Sequence, residues 1–500
     1  MVRFVGIMRD AENCVLADNR AETNIAAAQP ASASFAALPV PDALPKPKHP
    51  MSSLLDQSPL LDLAERLVNA ARRAGADAAD AVAVRSISQS VEVRDGAVEE
   101  SERAEGDDMG LRVLVGKRQA VVSTNDTKGN GADALAERAV AMARVAPEDQ
   151  FAGLADAALL AREFPDLDLI DPELPSVAAL ERHARTAEQA GLSVKGVAKS
   201  AGANASVGIG GMVLVTSHGF RGAYVGSRHS ISMVAIAGEG TGMERDYDFS
   251  SAIHATDLDV PEKVGRSAGE RAVKRLNPRK VETRRVPVVF DPRVANSLVG
   301  HLASAINGAS IARKSSFLKD RMGERLFRPG IRIVDDPLRR RGLRSRPFDG
   351  EGILGKPLAV IEDGVLKSWF LDSATARELS LATTGHAARG VSSSPSPAPT
   401  NLHLEAGTQS PRDLIAGIED GFYVTDLIGM GTNLVTGDYS RGASGVWIEH
   451  GELTYPVSEV TIAGHLNDIF ASLTPANDLE FRHGTNSPTV RLEGLTVAGT

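Results

Sequence analysis

The 500-residue chain has a single cysteine, Cys14. That excludes an intramolecular disulfide framework and any cysteine-rich zinc module, since both need several thiols, and it suits a reducing cytosol. No run approaches the ~18 apolar residues that cross a bilayer. Arg3 and Arg9 interrupt the opening MVRFVGIMRD before a secretory apolar segment can form. A basic excess is also missing: 55 Lys and Arg stand against 64 Asp and Glu, a net charge of −9. No broad positive field therefore gathers nucleic acid or an anionic membrane. Aromatics make up 4%, with Trp369 and Trp447 the two tryptophans, so the cores fall to Val, Ile, Leu and Ala. These absences lead us to expect a cytoplasmic protein with neither nucleic-acid nor membrane partners.

Glycine is plentiful, at 47 residues, which favours strands and turns over a helical bundle. The composition, 42% hydrophobic and 24% charged, is that of a globular chain with room for two or three domains. Residues 1–50 are an Ala- and Pro-rich extension without apolar periodicity, expected to be disordered. From Ser58-Pro59, Leu60, Leu63, Ala64, Leu67, Val68 and Ala71 recur at helical spacing, with Ser58 as the expected cap and Gly75 as the stop. AVAVRS, SVEVRD, AVEESE, LRVLVG and AVVSTN then alternate as strands, with a hairpin turn at Asp95-Gly96. Further helices are expected over 131–146, 176–190, 259–276 and 292–312, a buried strand at 286–290, and hairpins at Asp363-Gly364 and His450-Gly451. The expected fold is mixed α/β: an N-terminal unit over 54–150, a central unit over 165–280, both with antiparallel sheets, and a larger sheet-rich part over 285–500.

A local metal motif on a helix needs ligands roughly three to five residues apart, so that both return to one face. The closest of the eleven histidines, His218 and His229, are 11 apart. Asp246 with Asp248, and Asp335 with Asp336, are carboxylate pairs that could hold a hard cation or share a proton, or simply cap backbone N–H groups. Gly442-Ala443-Ser444-Gly445-Val446 approaches a nucleophile elbow but ends in valine where the turn needs glycine. GEGTGM and GIGGM lack the lysine and the spacing of phosphate-binding loops. The arginines at 339, 340, 341, 344 and 346 read as a solvated loop or an anionic contact, and SSSPSPAPTN (392–401) as a flexible or extended loop that could form a rim or lid beside a groove.

Several segments closely resemble the PmbA/TldE branch of the TldD/PmbA family: 290–320, RPFDGEGI (346–353), TGHAARG (384–390), TGDYSRGASGVWIEHGELTYPVSEVTIAGHL (436–466) and the ending RLEGLTVAG. The likeness covers about residues 54–500. It implies a heterodimer with a TldD-type subunit that carries an HExxxH zinc motif and a C-terminal cysteine ligand, acting on unfolded peptides and small proteins. Such a site needs two imidazoles, a third ligand and a glutamate that activates water. Here His301 stands at the first ligand position, Leu302 at the glutamate and Ile306 at the second histidine, and 482–488 reads RHGTNSP without a thiol. The resemblance thus implies that this chain has no catalytic residue and binds no cofactor of its own, with zinc in the partner. Asp438, Tyr439, Ser440 and Arg441 are expected to line a shared channel or interface, or else to shape a turn. The rival expectations are a stand-alone metallopeptidase using Asp246, Asp248, His301 or His386, and a non-catalytic peptide-binding scaffold.

Overall fold

The structure is a computed structural model that describes residues 55–126 and 131–499; the expected disorder of 1–50 lies outside these. Helix α1 (Ser58–Arg73) buries Leu60, Leu63, Ala64, Leu67, Val68 and Ala71 on one side, as the spacing requires. Ser58 is not its cap. Gln57 holds the N-cap position, and the Asp56 carboxylate accepts the Ser58 N–H at 3.0 Å.

The strands β1 (Ala78–Arg94), β2 (Ala97–Val115) and β3 (Arg118–Thr124) follow, then α2 (Ala132–Val145) and α3 (Val177–Leu192), the latter capped by Ser176. Next come β4 (Val197–Thr216), β5 (Arg221–Ala237), β6 (Glu244–Ala252) and α4 (Pro261–Lys274). The stretches read as separate strands merge: AVAVRS and SVEVRD are one strand, as are AVEESE and LRVLVG. Asp95 and Gly96 turn between them with φ of 52° and 72°, both in the left-handed region that this hairpin requires. Because β1 pairs with β4 from Asp80–Thr216 to Val93–Ala203, the sheet runs unbroken in the order β3-β2-β1-β4-β5-β6. One face carries both helix pairs. α1 and α2 pack over Ala79, Ala81, Ala83, Leu111 and Val113, and α3 and α4 over Val91, Val93, Ala205 and Met233. All are odd-numbered, as a period of two demands. The fold is mixed α/β with antiparallel sheets, and its N-terminal and central helical layers share one of them.

The C-terminal part opens with β7 (Arg284–Phe290), α5 (Pro292–Ala305) and α6 (Gly308–Ala312). The single helix expected over 292–312 breaks after Ile306 because the Asn307 side chain accepts the Ala309 N–H and starts a new helix. The short strands β8 (Ile333–Asp335), β9 (Leu358–Glu362), β10 (Val365–Leu366), β11 (Ala387–Ala388), β12 (Ser396–Pro397) and β13 (Leu402–Leu404) precede the long β14 (Asp420–Ile428), β15 (Asp438–Glu449) and β16 (Glu452–His465). The chain ends through β17 (Thr474–Pro475), β18 (Thr485–Asn486) and β19 (Val490–Ala498). The order β16-β15-β14-β7-β19 closes on itself through the Thr461–Ala498, Ile462–Val497 and Ala463–Thr496 pairs. Closure joins the two edges of this sheet over these three pairs. The apolar face of α5 lies in the same core as Val288, Phe290, Phe422, Trp447 and Leu492.

Two loops take one of the alternatives expected for each. In the arginine-rich stretch, Arg340 and Arg341 pair with Asp168, Arg341 also pairs with Asp257, and Arg339 lies 3.3 Å from the Phe481 ring centre. The anionic contact is with the chain's own Asp168 and Asp257. The 392–401 stretch is anchored: Asn307 Nδ2 donates to the Pro397 carbonyl at 2.7 Å, and Thr400 and Asn401 are buried because they bond Asp335 and Ser345.

Candidate functional site

Helix α5 presents the three positions singled out by the resemblance. Asp291 caps it by accepting the Arg293 N–H at 3.1 Å, and Pro292 occupies the first turn, where its missing N–H costs nothing. Leu302 and Ile306 are 0% exposed and belong to the C-terminal core. His301 precedes Leu302 by one residue, about 100° around the helix, so it leaves that core and reaches the β15 side half-buried. The residues at these positions do not fit a zinc ion, since one imidazole and two packed aliphatic side chains offer a single donor.

The segment between β14 and β15 completes the surroundings of His301. It folds back on β15: the Ser440 N–H donates to the Gly431 carbonyl at 2.7 Å, and Asn433 N–H to the Asp438 carbonyl at 2.9 Å. A Cβ on Gly431 would lie 1.7 Å from the Ser440 oxygen, so only glycine permits the approach. The fold-back sets Thr432 Oγ1 3.3 Å from His301 Nε2. Along β15, Asp438 and Ser440 are exposed while Tyr439 is buried and Arg441 half-buried. The strand alternation thus turns Tyr439 and Arg441 to one face. Tyr439 stands edge-on to His301, ring centres 5.9 Å apart at 72°. Two candidate groups far apart in sequence therefore meet, and Thr432, which sequence reasoning missed, joins them. The one sequence signal for Thr432 is the pair of glycines, Gly431 and Gly437, around a short polar segment.

Burial lowers the His301 imidazole to about 4, and the Arg441 charge pushes the same way. Burial raises the Tyr439 phenol, against the pull of Arg441. The Tyr439 hydroxyl and the Arg441 Nε are buried without a hydrogen-bond partner. This corner holds a neutral imidazole, a protonated phenol and a guanidinium.

The other sequence candidates lie elsewhere. Asp246 takes a two-pronged ion pair from Arg293 at 2.7 and 2.9 Å, and Arg275 approaches it at 3.5 Å. Burial alone would raise its carboxyl, but the Arg293 bonds and charge hold it below the usual range. Asp248 lies 3.4 Å from Arg482. Each aspartate also accepts the N–H of the next residue, Tyr247 or Phe249, while Arg293 and Arg482 donate to the carbonyls of those residues. The pair therefore caps the outer edge of β6. Beside it, at the start of α5, is a cleft of about 270 Å³ lined by Tyr247, Arg293, Tyr423, Arg482, His483 and Asn486 among others. The 482–488 segment is thus next to α5, but at the helix end opposite His301. His386 is fully buried, with Nε2 3.0 Å from Asp335 Oδ2, and Thr400 donates N–H to Asp335 at 2.7 Å. Asp246, Asp248, His301 and His386 thus have separate partners. Among the described residues, no three His, Cys, Asp or Glu side chains are grouped to hold one ion.

A further buried charge cluster joins the N-terminal sheet to the C-terminal part. Asp80 on β1 accepts from Arg112 on β2 at 2.5 and 3.0 Å and from Arg389 at 2.6 Å. Glu351, beside them, accepts the Ser373 N–H at 2.8 Å, and burial together with Asp349 and Asp372 raises its carboxyl to about 7. The backbones close up here too, since a Cβ on Gly110 would lie 1.8 Å from the Val391 oxygen. Sequence reading missed this seam, although the D-G-E-G run in RPFDGEGI places two carboxylates among flexible residues.

Comparison with known proteins identifies the architecture. Three family models match in succession: PmbA/TldA metallopeptidase domain 1 over residues 79–143, the central domain over 169–276 and the C-terminal domain over 283–499. The metalloprotease PmbA of Escherichia coli O157:H7 is 38% identical over 426 residues, 85% of this chain and 92% of that protein. A PmbA homologue of Haemophilus influenzae is 36% identical, covering 86% and 94%. Among solved structures, a candidate DNA-gyrase modulator of Bacteroides thetaiotaomicron superposes with a TM-score of 0.81 at 27% identity, covering 88% of this chain and 98% of that one. TldE of Thermococcus kodakarensis gives 0.78 at 20% identity, covering 87% and 100%, a likeness of fold. Fold and sequence together define a metalloprotease-type protein that the family's three domain models match in turn. The chain belongs to the PmbA/TldD family, on its PmbA/TldE branch.

Proposed function

We propose that the chain is the subunit of a cytoplasmic two-subunit metallopeptidase that supplies no zinc ligands, and that a TldD-type partner contributes the metal and the water-activating carboxylate. The observation that carries this is the state of α5. Leu302 and Ile306 are packed in the core where a glutamate and a second imidazole would be needed, and His301 bonds Thr432 and meets Tyr439 edge-on. General-base assistance contributes about 100- to 10,000-fold in rate, so a chain without that carboxylate turns over little peptide by itself. A cytoplasmic setting is supported by the single cysteine and by the lack, among the described residues, of a helix long and apolar enough to cross a membrane.

The role left to the chain is to enclose and position extended, unfolded peptides, as in peptide maturation or the removal of small unstable proteins. Strand addition suits such ligands, because backbone pairing is indifferent to side chains. The β16–β19 pairs close the C-terminal sheet and the β6 edge is capped by arginines and aspartates, whereas β3 borders the N-terminal sheet with no further strand beside it among the described residues. Co-purification of a tagged chain from its native host, followed by cleavage of an unfolded peptide with and without chelator, tests the proposal. The expected result is a co-purifying HExxxH protein and chelator-sensitive cleavage by the pair. Cleavage by the chain alone would overturn it.

A further inference from the structure

We propose that Arg441, Tyr439 and His301 form a carboxylate-recognition site that takes the free C-terminus of an extended apolar peptide. The groups in this corner are all donors or neutral. Among the described residues no acidic side chain pairs with the Arg441 guanidinium, and its buried Nε has no acceptor. The Tyr439 hydroxyl, on a residue 1% exposed, is likewise without a partner. Buried polar groups are normally satisfied, and an unmet hydroxyl and guanidinium N–H on one strand face call for the same acceptor. The acid nearest in sequence, Asp438, is on the opposite face of β15, where it accepts from Thr436 Oγ1 at 2.6 Å.

An oxyanion answers this set of donors. A guanidinium supplies charge and a planar fork of N–H groups, which carboxylates match with two parallel bonds. The phenol adds an O–H, and a neutral imidazole one N–H without a second fixed charge. The fold-back segment that carries Thr432 adds the second element of recognition. Ile428, Met430 and Val435, on that segment and the strand end before it, are 57%, 91% and 60% exposed, an apolar lip beside a cationic seat. A lip of this kind favours a carboxylate carried on an apolar chain over a small hydrated anion. The site deepens the reading of the chain as a peptide-handling subunit and rests on it for the choice of peptide, but it is tested on the chain alone.

The full chain is titrated calorimetrically with N-acetyl-trileucine bearing a free C-terminus, with its C-terminal amide, with an amide-capped peptide holding one internal glutamate, and with sodium acetate. The free acid is expected to bind and the amide to bind at least roughly tenfold more weakly, the scale of one lost charge-assisted contact. Tyr439→Phe and Arg441→Gln are each expected to weaken the free acid by a similar factor, with the melting temperature of Tyr439→Phe unchanged or raised. Equal binding of acid and amide, or no binding of either, overturns the proposal. Acetate binding as tightly as the peptide overturns the apolar part, and equal binding of the internal glutamate overturns the terminal assignment. Because no partner is present, failure here leaves the subunit reading standing, and failure of the complex assay leaves this site standing.

Discussion

The Tyr439 ring stands edge-on to the His301 imidazole, 5.9 Å between centres, yet the Tyr439 hydroxyl bonds to nothing among the described residues. The ring therefore fills space and the oxygen does not help the fold. Tyr439→Phe removes a buried, unmet hydroxyl, and stability should hold or rise by up to about 1 kcal/mol. Urea unfolding of the two proteins checks this; a loss of more than that would show that the hydroxyl has a structural partner.

His301 should make the fold acid-sensitive. Its imidazole is moved from 6.5 down to about 4 in the folded chain. Between those values the unfolded chain binds a proton that the folded chain does not, so stability is full above the unfolded value and falls as pH drops toward the folded one. The expected loss is on the order of 2 kcal/mol after allowing for partial exposure. In His301→Gln that part of the slope should vanish, as read from melting curves between pH 7 and 4 (~three pH units, the window of an ordinary histidine titration). Parallel slopes in the two proteins would contradict it.

Glu351 should act in the opposite sense. Its carboxyl is raised from 4.5 to about 7, so the folded chain holds a proton that the unfolded chain has released. Stability then falls as pH rises through that window. Glu351→Gln keeps an acceptor for Ser373 and removes the buried charge, and should stabilise the chain by ~1–3 kcal/mol at about pH 8 with far less effect near pH 5. An equal effect at both values would assign Glu351 another role.

Asp80 holds two buried guanidiniums, Arg112 and Arg389, and the second comes from 309 positions away. Asp80→Asn leaves both cations under-compensated, and removing one partner of a buried pair costs about 3–5 kcal/mol. Chemical denaturation measures it; a cost below about 1 kcal/mol would mean that the seam is wet and weakly coupled.

Features set by neighbours in sequence could be read in advance. Asp95-Gly96, Asp363-Gly364 and His450-Gly451 all turn with positive φ, and the leucine spacing after Ser58 gives α1. Strand lengths were harder, because polar Arg85 and Gln89 interrupt the apolar odd-numbered face of β1 without interrupting its pairing with β4. In the candidate site, the family motif singled out His301 and the Asp438–Arg441 run separately. Their meeting, and the arrival of Thr432, depend on a fold-back and a 131-residue separation that no local pattern encodes. The same holds for His386 with Asp335, and for the arginines that occupy Asp246 and Asp248.

The central claim, that this chain lacks the means to hold zinc, is tested most directly by elemental analysis of the isolated full-length protein after dialysis. The account predicts zinc far below one equivalent per chain, unchanged by His301→Gln. One tightly held zinc per chain, lost when the chain's own side chains are altered, would contradict it.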